Sequence, residues 1–288
     1  MDGENDLRMK EGEGTLSRRM FTTLTAVAGV AAAAGPALAA EVTDEDVEVK
    51  TPDGTCDAFL ARPAAKGRFP AVVMFADAFG LRPAFRDMGR RLASSGYVVL
   101  VPNPFYRTAK APGVRPGFDF GNADDRAALN KLREPMTPEA IMRDATAYLA
   151  FLDATKAVNG KARAGVVGYC MGGPMTMQAA AALPGRIGAG CSFHGGGVAT
   201  DQPDSPHLLV PKMKASFYFG IADNDDQRDP ASKDKLREAF AAAHLPAKIE
   251  VYKGCSHGWA VKDGAVYNEA GAERAWADML SLYQTTLV

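Results

Sequence analysis

The segment Ala164-Gly165-Val166-Val167-Gly168-Tyr169-Cys170-Met171-Gly172-Gly173-Pro174 runs from an apolar, strand-like stretch through a glycine-flanked cysteine into a helix-like stretch, Met175 to Leu183. The glycines have a steric reason. A sharp strand-to-helix turn lifts the central residue out of the chain path, and side chains on either flank would collide with the neighbouring strand and helix. Pro174 suits a first helical turn, where a missing N–H costs nothing. The helix N-terminus that follows favours an anion beside Cys170. Taken alone, the segment also fits a buried structural cysteine beside a tight turn.

On both sides of this turn, apolar runs rich in β-branched residues alternate with helical periodicity. Strands are expected at about 45–50, 56–62, 70–76, 97–101, 163–168, 188–194, 215–220 and 248–253. Helices are expected at about 84–95, 137–156, 172–183, 231–244 and 269–284. Runs such as Ala71-Val72-Val73-Met74-Phe75 and Val98-Val99-Leu100-Val101 are apolar on both faces, as in a sheet covered on both sides. The pattern predicts an α/β fold: one doubly wound, mostly parallel sheet of about eight strands with an antiparallel start. Residues 40–288 are read as one domain. The stretch 103–134, with Pro104, Pro112, Pro116, Phe105, Tyr106, Phe118 and Phe120, breaks the rhythm and is expected to be a substrate-side flap.

Two downstream elements turn Cys170 into a candidate nucleophile. His257 stands in Cys255-Ser256-His257-Gly258-Trp259, just after the last strand, and Asp223 ends Phe219-Gly220-Ile221-Ala222-Asp223, at the end of the strand before it. Nucleophile, acid, histidine is the chain order of α/β-hydrolases, whose nucleophile sits in a G-x-nucleophile-x-G turn. In such a site the histidine takes the thiol proton, while the carboxylate fixes its tautomer. Asp225, Asp226 and Asp229 crowd the same loop; Asp223 is preferred because its backbone is nearest the strand and best fixed. His194, at the end of another strand, is the reserve histidine.

These motifs, with Phe75-Ala76-Asp77-Ala78-Phe79-Gly80 and Gly96-Tyr97-Val98-Val99-Leu100-Val101-Pro102, resemble those of the dienelactone hydrolase family, from about residue 45 to 285. The resemblance implies an α/β-hydrolase fold and metal-free, cofactor-free cleavage of a small carboxylic ester or lactone by a Cys-His-Asp triad, through a thioester acyl-enzyme. It further implies that Asp77 is an accessory acid holding the resting Cys170. The backbone N–H groups of Ala78 and Met171 would form the oxyanion hole. Arg107 would bind a substrate carboxylate, with Tyr106 and Trp259 as further substrate contacts. The family's second arginine, four residues after the histidine, is replaced by Val261.

Composition narrows the remaining classes. Of the 288 residues, 33 are basic and 34 acidic; without the four bases and five acids before residue 40, 29 of each sign remain. A neutral body offers no electrostatic case for nucleic acid or an anionic membrane. Ser17-Arg18-Arg19-Met20-Phe21, a weakly apolar run from Leu24 to Ala34, and Ala37-Leu38-Ala39 resemble a twin-arginine export leader with its cleavage site. The chain is therefore expected to meet the twin-arginine machinery and to be periplasmic or secreted. The run is too short and too broken by Gly29, Gly35 and Pro36 for a stable membrane anchor. Cys56 and Cys191 lie in apolar strand-like stretches and read as buried small hydrophobes. The competing readings are a catalytically silent small-molecule binding protein that keeps the fold and a thiol redox protein, for which the C-x-x-C spacing is missing.

Overall fold

The computed structural model describes residues 40–287. The leader expected over residues 1–39 lies outside the described residues. In chain order, β1 (Val42–Thr51) and β2 (Gly54–Pro63) form an antiparallel hairpin. They are followed by β3 (Ala71–Phe75), α1 (Pro83–Ala93), β4 (Val98–Pro102), α2 (Ala123–Arg133), α3 (Pro138–Ala154), β5 (Ala164–Tyr169), α4 (Gly172–Ala182) and β6 (Ile187–Phe193). After a 3-10 segment, Pro206–Lys212, come β7 (Ser216–Ala222), α5 (Asp223–Arg228), α6 (Ser232–Ala242), β8 (Ala247–Tyr252) and α7 (Glu269–Thr286).

The strands form one eight-stranded sheet in the order β1-β2-β4-β3-β5-β6-β7-β8. Pairing is antiparallel from β1 through β2 to β4 and parallel from β4 to β8. This is the expected α/β-hydrolase-like architecture. β3, β4, β5 and β6 are buried along their whole length, which is why they read as unbroken apolar runs. Successive residues still serve opposite faces. In β5, Ala164 and Val166 pack with Tyr148 of α3, Met175 of α4 and Phe240 of α6, whereas Val167 and Tyr169 pack with Phe85 of α1 and Trp276 and Tyr283 of α7. The Tyr283 hydroxyl donates to the Val166 carbonyl at 2.9 Å, tying α7 to the sheet centre.

Two helices escape the sequence pattern. α2, inside the expected flap, buries only Asp125 and Leu129, too few residues to write a periodic stripe. Its signal is chemical: the Asn122 side chain accepts from the N–H groups of Asp124 and Asp125, and both acids lie in the first turn. α5, Asp-Asn-Asp-Asp-Gln-Arg, buries nothing, and it starts at the residue after β7. That start governs which aspartate reaches the site.

The six strands from β3 to β8 run in one direction, so the segments that follow them share one edge of the sheet. Those segments carry Asp77, the flap, Cys170, His194, α5 and His257. In open α/β sheets this carboxyl edge is where ligands bind.

Candidate active site

Cys170 occupies the turn between β5 and α4 with φ at +52°, in the left-handed region that L residues rarely adopt. Its N–H donates to the Phe193 carbonyl at 3.1 Å, and its own carbonyl accepts from Gly173 N–H at 3.1 Å. The flanking glycines are obligatory by contact. A Cβ on Gly168 would lie 2.0 Å from the Gly172 carbonyl oxygen, and one on Gly172 would lie 2.4 Å from that of Phe75. Cys170 itself is partly exposed.

His257 faces this turn from the loop after β8. Its Nδ1 lies 2.5 Å from Oδ2 of Asp225, and its backbone N–H donates to Oδ1 of Asn224 at 2.8 Å. The expected partner, Asp223, is not there. Its Oδ2 accepts from Gly254 N–H at 3.0 Å and its Oδ1 from Lys253 Nζ at 3.0 Å, and those two contacts hold its carboxyl below the usual range. The reason is helical. Because α5 begins at Asp223, residues 223 and 225 project about 200° apart around its axis: the first faces the β8 turn and the second faces the histidine. Burial opposes a charge on His257, but its interactions with Asp225 and Cys170 outweigh burial and lift its pKa to about 10.

Cys170, His257 and His194 line one chamber of about 940 Å³, together with Asp77, Ala78, Phe79, Met171 and the flap residues Phe120 and Leu129. The amide N–H groups of Ala78 and Met171 donate to no group among the described residues. Both residues flank the nucleophile, and free amides in that position suit an oxyanion. Phe79, Phe118 and Phe120 meet edge to face at 4.8–5.6 Å, so the flap closes the chamber with an aromatic cluster. Phe120 and Val266, 52% and 44% exposed, form apolar lips at its mouth. The reserve histidine, His194, lies behind His257 at a ring separation of 5.1 Å. Burial, then the proximity of His257, keeps it neutral to well below its ordinary pKa.

The model of the Dienelactone hydrolase family matches residues 56–287. The chain belongs to that family. A Synechocystis protein that carries the name carboxymethylenebutenolidase provisionally is 29% identical over 80% of this chain and 91% of its own. The carboxymethylenebutenolidase of Rhodococcus opacus is 25% identical over 72% of this chain and 77% of its own. Among solved structures, a provisionally named dienelactone hydrolase from Klebsiella pneumoniae covers 85% of this chain with 99% of its own, at a TM-score of 0.74 and 23% identity. That likeness supports the fold.

Four side chains assigned through the family resemblance are engaged elsewhere. Asp77 borders the chamber, but both of its oxygens take hydrogen bonds from Arg82, at 2.7 and 2.9 Å, and Oδ1 also accepts from Phe79 N–H. Burial raises its pKa and Arg82 opposes the rise. Instead of holding Cys170, this shorter acid is clamped by an arginine that also forks onto Asp263.

Arg107 is likewise committed. Its guanidinium spans Asp144, at 2.8 Å to both oxygens, and Asp53, at 2.6 Å. The Tyr106 hydroxyl joins the same cluster, donating to Asp144 Oδ1 at 2.7 Å and meeting Thr51 Oγ1 at 2.7 Å. This network ties the β1–β2 turn to α3, and neither side chain borders the chamber. Trp259 is fully buried, stacked on Tyr252 at 4.8 Å and packed against His194 at 5.0 Å. Gly258, at φ +105°, reverses the chain between His257 and Trp259 and sends the two rings apart.

Asn224 was missed by sequence reasoning, whereas Phe120 and Leu129 at the chamber belong to the stretch expected to form a substrate-side flap. Asn224 stood in plain view between the candidate acids, but its role depends on the α5 turn that orients it. Cys56 and Cys191 are buried as expected, and burial pushes the thiol of Cys56 up to about 12. Burial likewise raises that of Cys191.

Proposed function

We propose that this protein hydrolyses small carboxylic esters or lactones with Cys170 as nucleophile, His257 as base and Asp225 as the acid that orients it. The observation that carries the reading is His257, which bonds Asp225 through Nδ1 and shares a chamber wall with Cys170. Family membership and the names borne by its relatives support the same chemistry.

With its pKa lifted to about 10, His257 already holds the proton of the Cys170 thiol as an imidazolium beside the thiolate, and in the first step the sulfur forms a bond to the substrate carbonyl carbon. The carbonyl electron pair moves onto its oxygen, which the Ala78 and Met171 N–H groups receive. As the tetrahedral centre collapses, the C–O bond to the alkoxy group breaks and His257 returns the proton to the leaving oxygen. A thioester remains. Water, deprotonated by His257, then attacks that carbonyl, and the Cys170 sulfur leaves as the acid product forms. Asp225 holds the imidazole in the tautomer that both steps need and stabilises its charged form.

The test is turnover of short esters and lactones by the wild type and Cys170→Ala, with the acyl-enzyme sought by mass spectrometry. A thioester adduct of the substrate's acyl mass on the peptide containing Cys170 supports the reading. Equal turnover by the two proteins overturns it.

We further propose that the protein is exported by the twin-arginine route; Arg18-Arg19 and Ala37-Leu38-Ala39 support this. Replacing both arginines by lysine should leave the uncleaved protein in the cytoplasmic fraction. Unchanged export would reject the route.

A further inference from the structure

At about 940 Å³, the reaction chamber stands near the upper end of the roughly 300–1,000 Å³ found for pockets that hold drug-sized ligands. A single small lactone ring occupies a minor part of such a space. The chemistry of the walls decides what the remainder accepts.

Among the described residues, no buried cation on those walls is left to take a substrate carboxylate. Arg82 has all five N–H donors engaged: Nε and Nη2 reach Asp263, Nη1 and Nη2 reach Asp77, and Nη1 also donates to the Gly80 carbonyl. Arg133 and Arg228 border the chamber as well, but both are exposed, Arg228 at 3.5 Å from Asp225. An ion pair made by an exposed side chain is screened by water and contributes little. His257 is engaged by Asp225 and Cys170. Val261, 2% exposed, adds an apolar side chain to the wall.

The wall beside the nucleophile is apolar. Cys170 and Met171 pack against a cluster of Ala78, Phe105 and Leu129. Phe79 and Phe120 border the same chamber, and Phe118 joins them edge to face, its ring centroid 5.6 Å from that of Phe79 and 4.8 Å from that of Phe120. Of the three large apolar residues exposed among the described residues, Phe120, Leu208 and Val266, two stand at this mouth. Apolar side chains gathered at the mouth of a cleft, unlike ones scattered singly, mark a ligand surface. Continuity with Cys170 makes that ligand the substrate.

Resting on the hydrolase reading of the chamber, we infer that Phe79, Phe120 and Leu129 form an acyl subsite for a neutral aromatic group, so that the substrates are esters of arylalkanoic acids and carry no second carboxylate. The reacting carbonyl sits over Cys170 with its oxygen toward the Ala78 and Met171 amides. The alkoxy group lies on the side of His257, which protonates it as it leaves. The acyl stem runs along Leu129, and its ring meets Phe79 and Phe120 edge to face. A carboxylate in the same place would lose its hydration against apolar walls, with no buried cation to replace it.

The experiment compares three methyl esters that share a two-carbon stem and differ in its end group: methyl 3-phenylpropanoate, methyl butanoate and monomethyl succinate. The wild type is expected to favour the phenyl ester over methyl butanoate at least about tenfold in kcat/KM, a discrimination within reach of an apolar pocket. Monomethyl succinate should fall below methyl butanoate. Phe120→Ala should cut the phenyl preference at least about threefold, as the loss of one aromatic pair does, and Phe120→Trp should retain it. A smaller preference in the wild type, a preference unaltered by Phe120→Ala, or monomethyl succinate turned over as well as methyl butanoate overturns the subsite. Calorimetric binding of 3-phenylpropanamide to Cys170→Ala, weakened at least about threefold when Phe120→Ala is added, tests the subsite without turnover. Binding that follows this pattern in a protein whose wild type cleaves none of the esters would overturn the hydrolase reading alone, and turnover without the phenyl preference would overturn the subsite alone.

Discussion

Asp225 Oδ2 lies 2.5 Å from His257 Nδ1, while Asp223, two residues earlier and nearer to the strand, binds Gly254 and Lys253 instead. Asp225→Asn should therefore cost about 10³-fold or more in kcat, the penalty for an imidazole held in the wrong tautomer. Asp223→Asn should change kcat by no more than a few-fold, as expected of a surface contact. Steady-state kinetics on one ester with both variants checks the assignment, and a larger loss in Asp223→Asn would reverse it.

Cys170 carries both the proposed chemistry and a strained backbone. Cys170→Ala should abolish turnover and leave the melting temperature almost unchanged. Cys170→Gly should be equally inactive but more stable by up to about 1 kcal/mol, because glycine adopts a φ of +52° without a steric penalty. Calorimetric melting of the three proteins decides this, and a Cys170→Gly variant less stable than Cys170→Ala would argue against stored strain.

Arg107 is expected to act on stability rather than on substrate choice. Its removal leaves Asp144, 6% exposed, without its cation, and breaking such a pair costs about 3 kcal/mol. Arg107→Ala should shift the denaturant midpoint accordingly, yet leave the ratio of kcat/KM for anionic and neutral esters where it was. A selective loss on anionic esters would return Arg107 to the binding site.

The raised pKa of His257 gives a pH signature. Its folded value of about 10 stands above the 6.5 of an unperturbed histidine, so the folded state binds the proton more tightly than the unfolded chain does. The resulting stabilisation is complete below about pH 6.5 and disappears as pH rises through 10. In urea titrations the stability advantage of wild type over His257→Gln should shrink across that window. A constant difference would show that His257 binds its proton no more tightly in the folded protein.

The sequence by itself determined the strand succession, the parallel sheet and its hairpin start, and the turn at Cys170. These depend on local rules: period-two and all-apolar runs, and the steric demand for glycine at residues 168 and 172. It also placed His257 at the end of a strand and so on the reactive edge. What only the tertiary structure decided was which charged groups meet. A carboxylate or guanidinium reaches several ångströms from its Cα, so its partner depends on rotations and on segments distant in the chain. One turn of helix at α5 exchanged Asp223 for Asp225. Arg82 captured Asp77 across five residues, and Asp53 and Asp144, brought together by the β1–β2 turn and α3, captured Arg107. Polar helices such as α2 and α5 bury almost nothing and leave little periodic trace, yet they set the walls and the acid of the site.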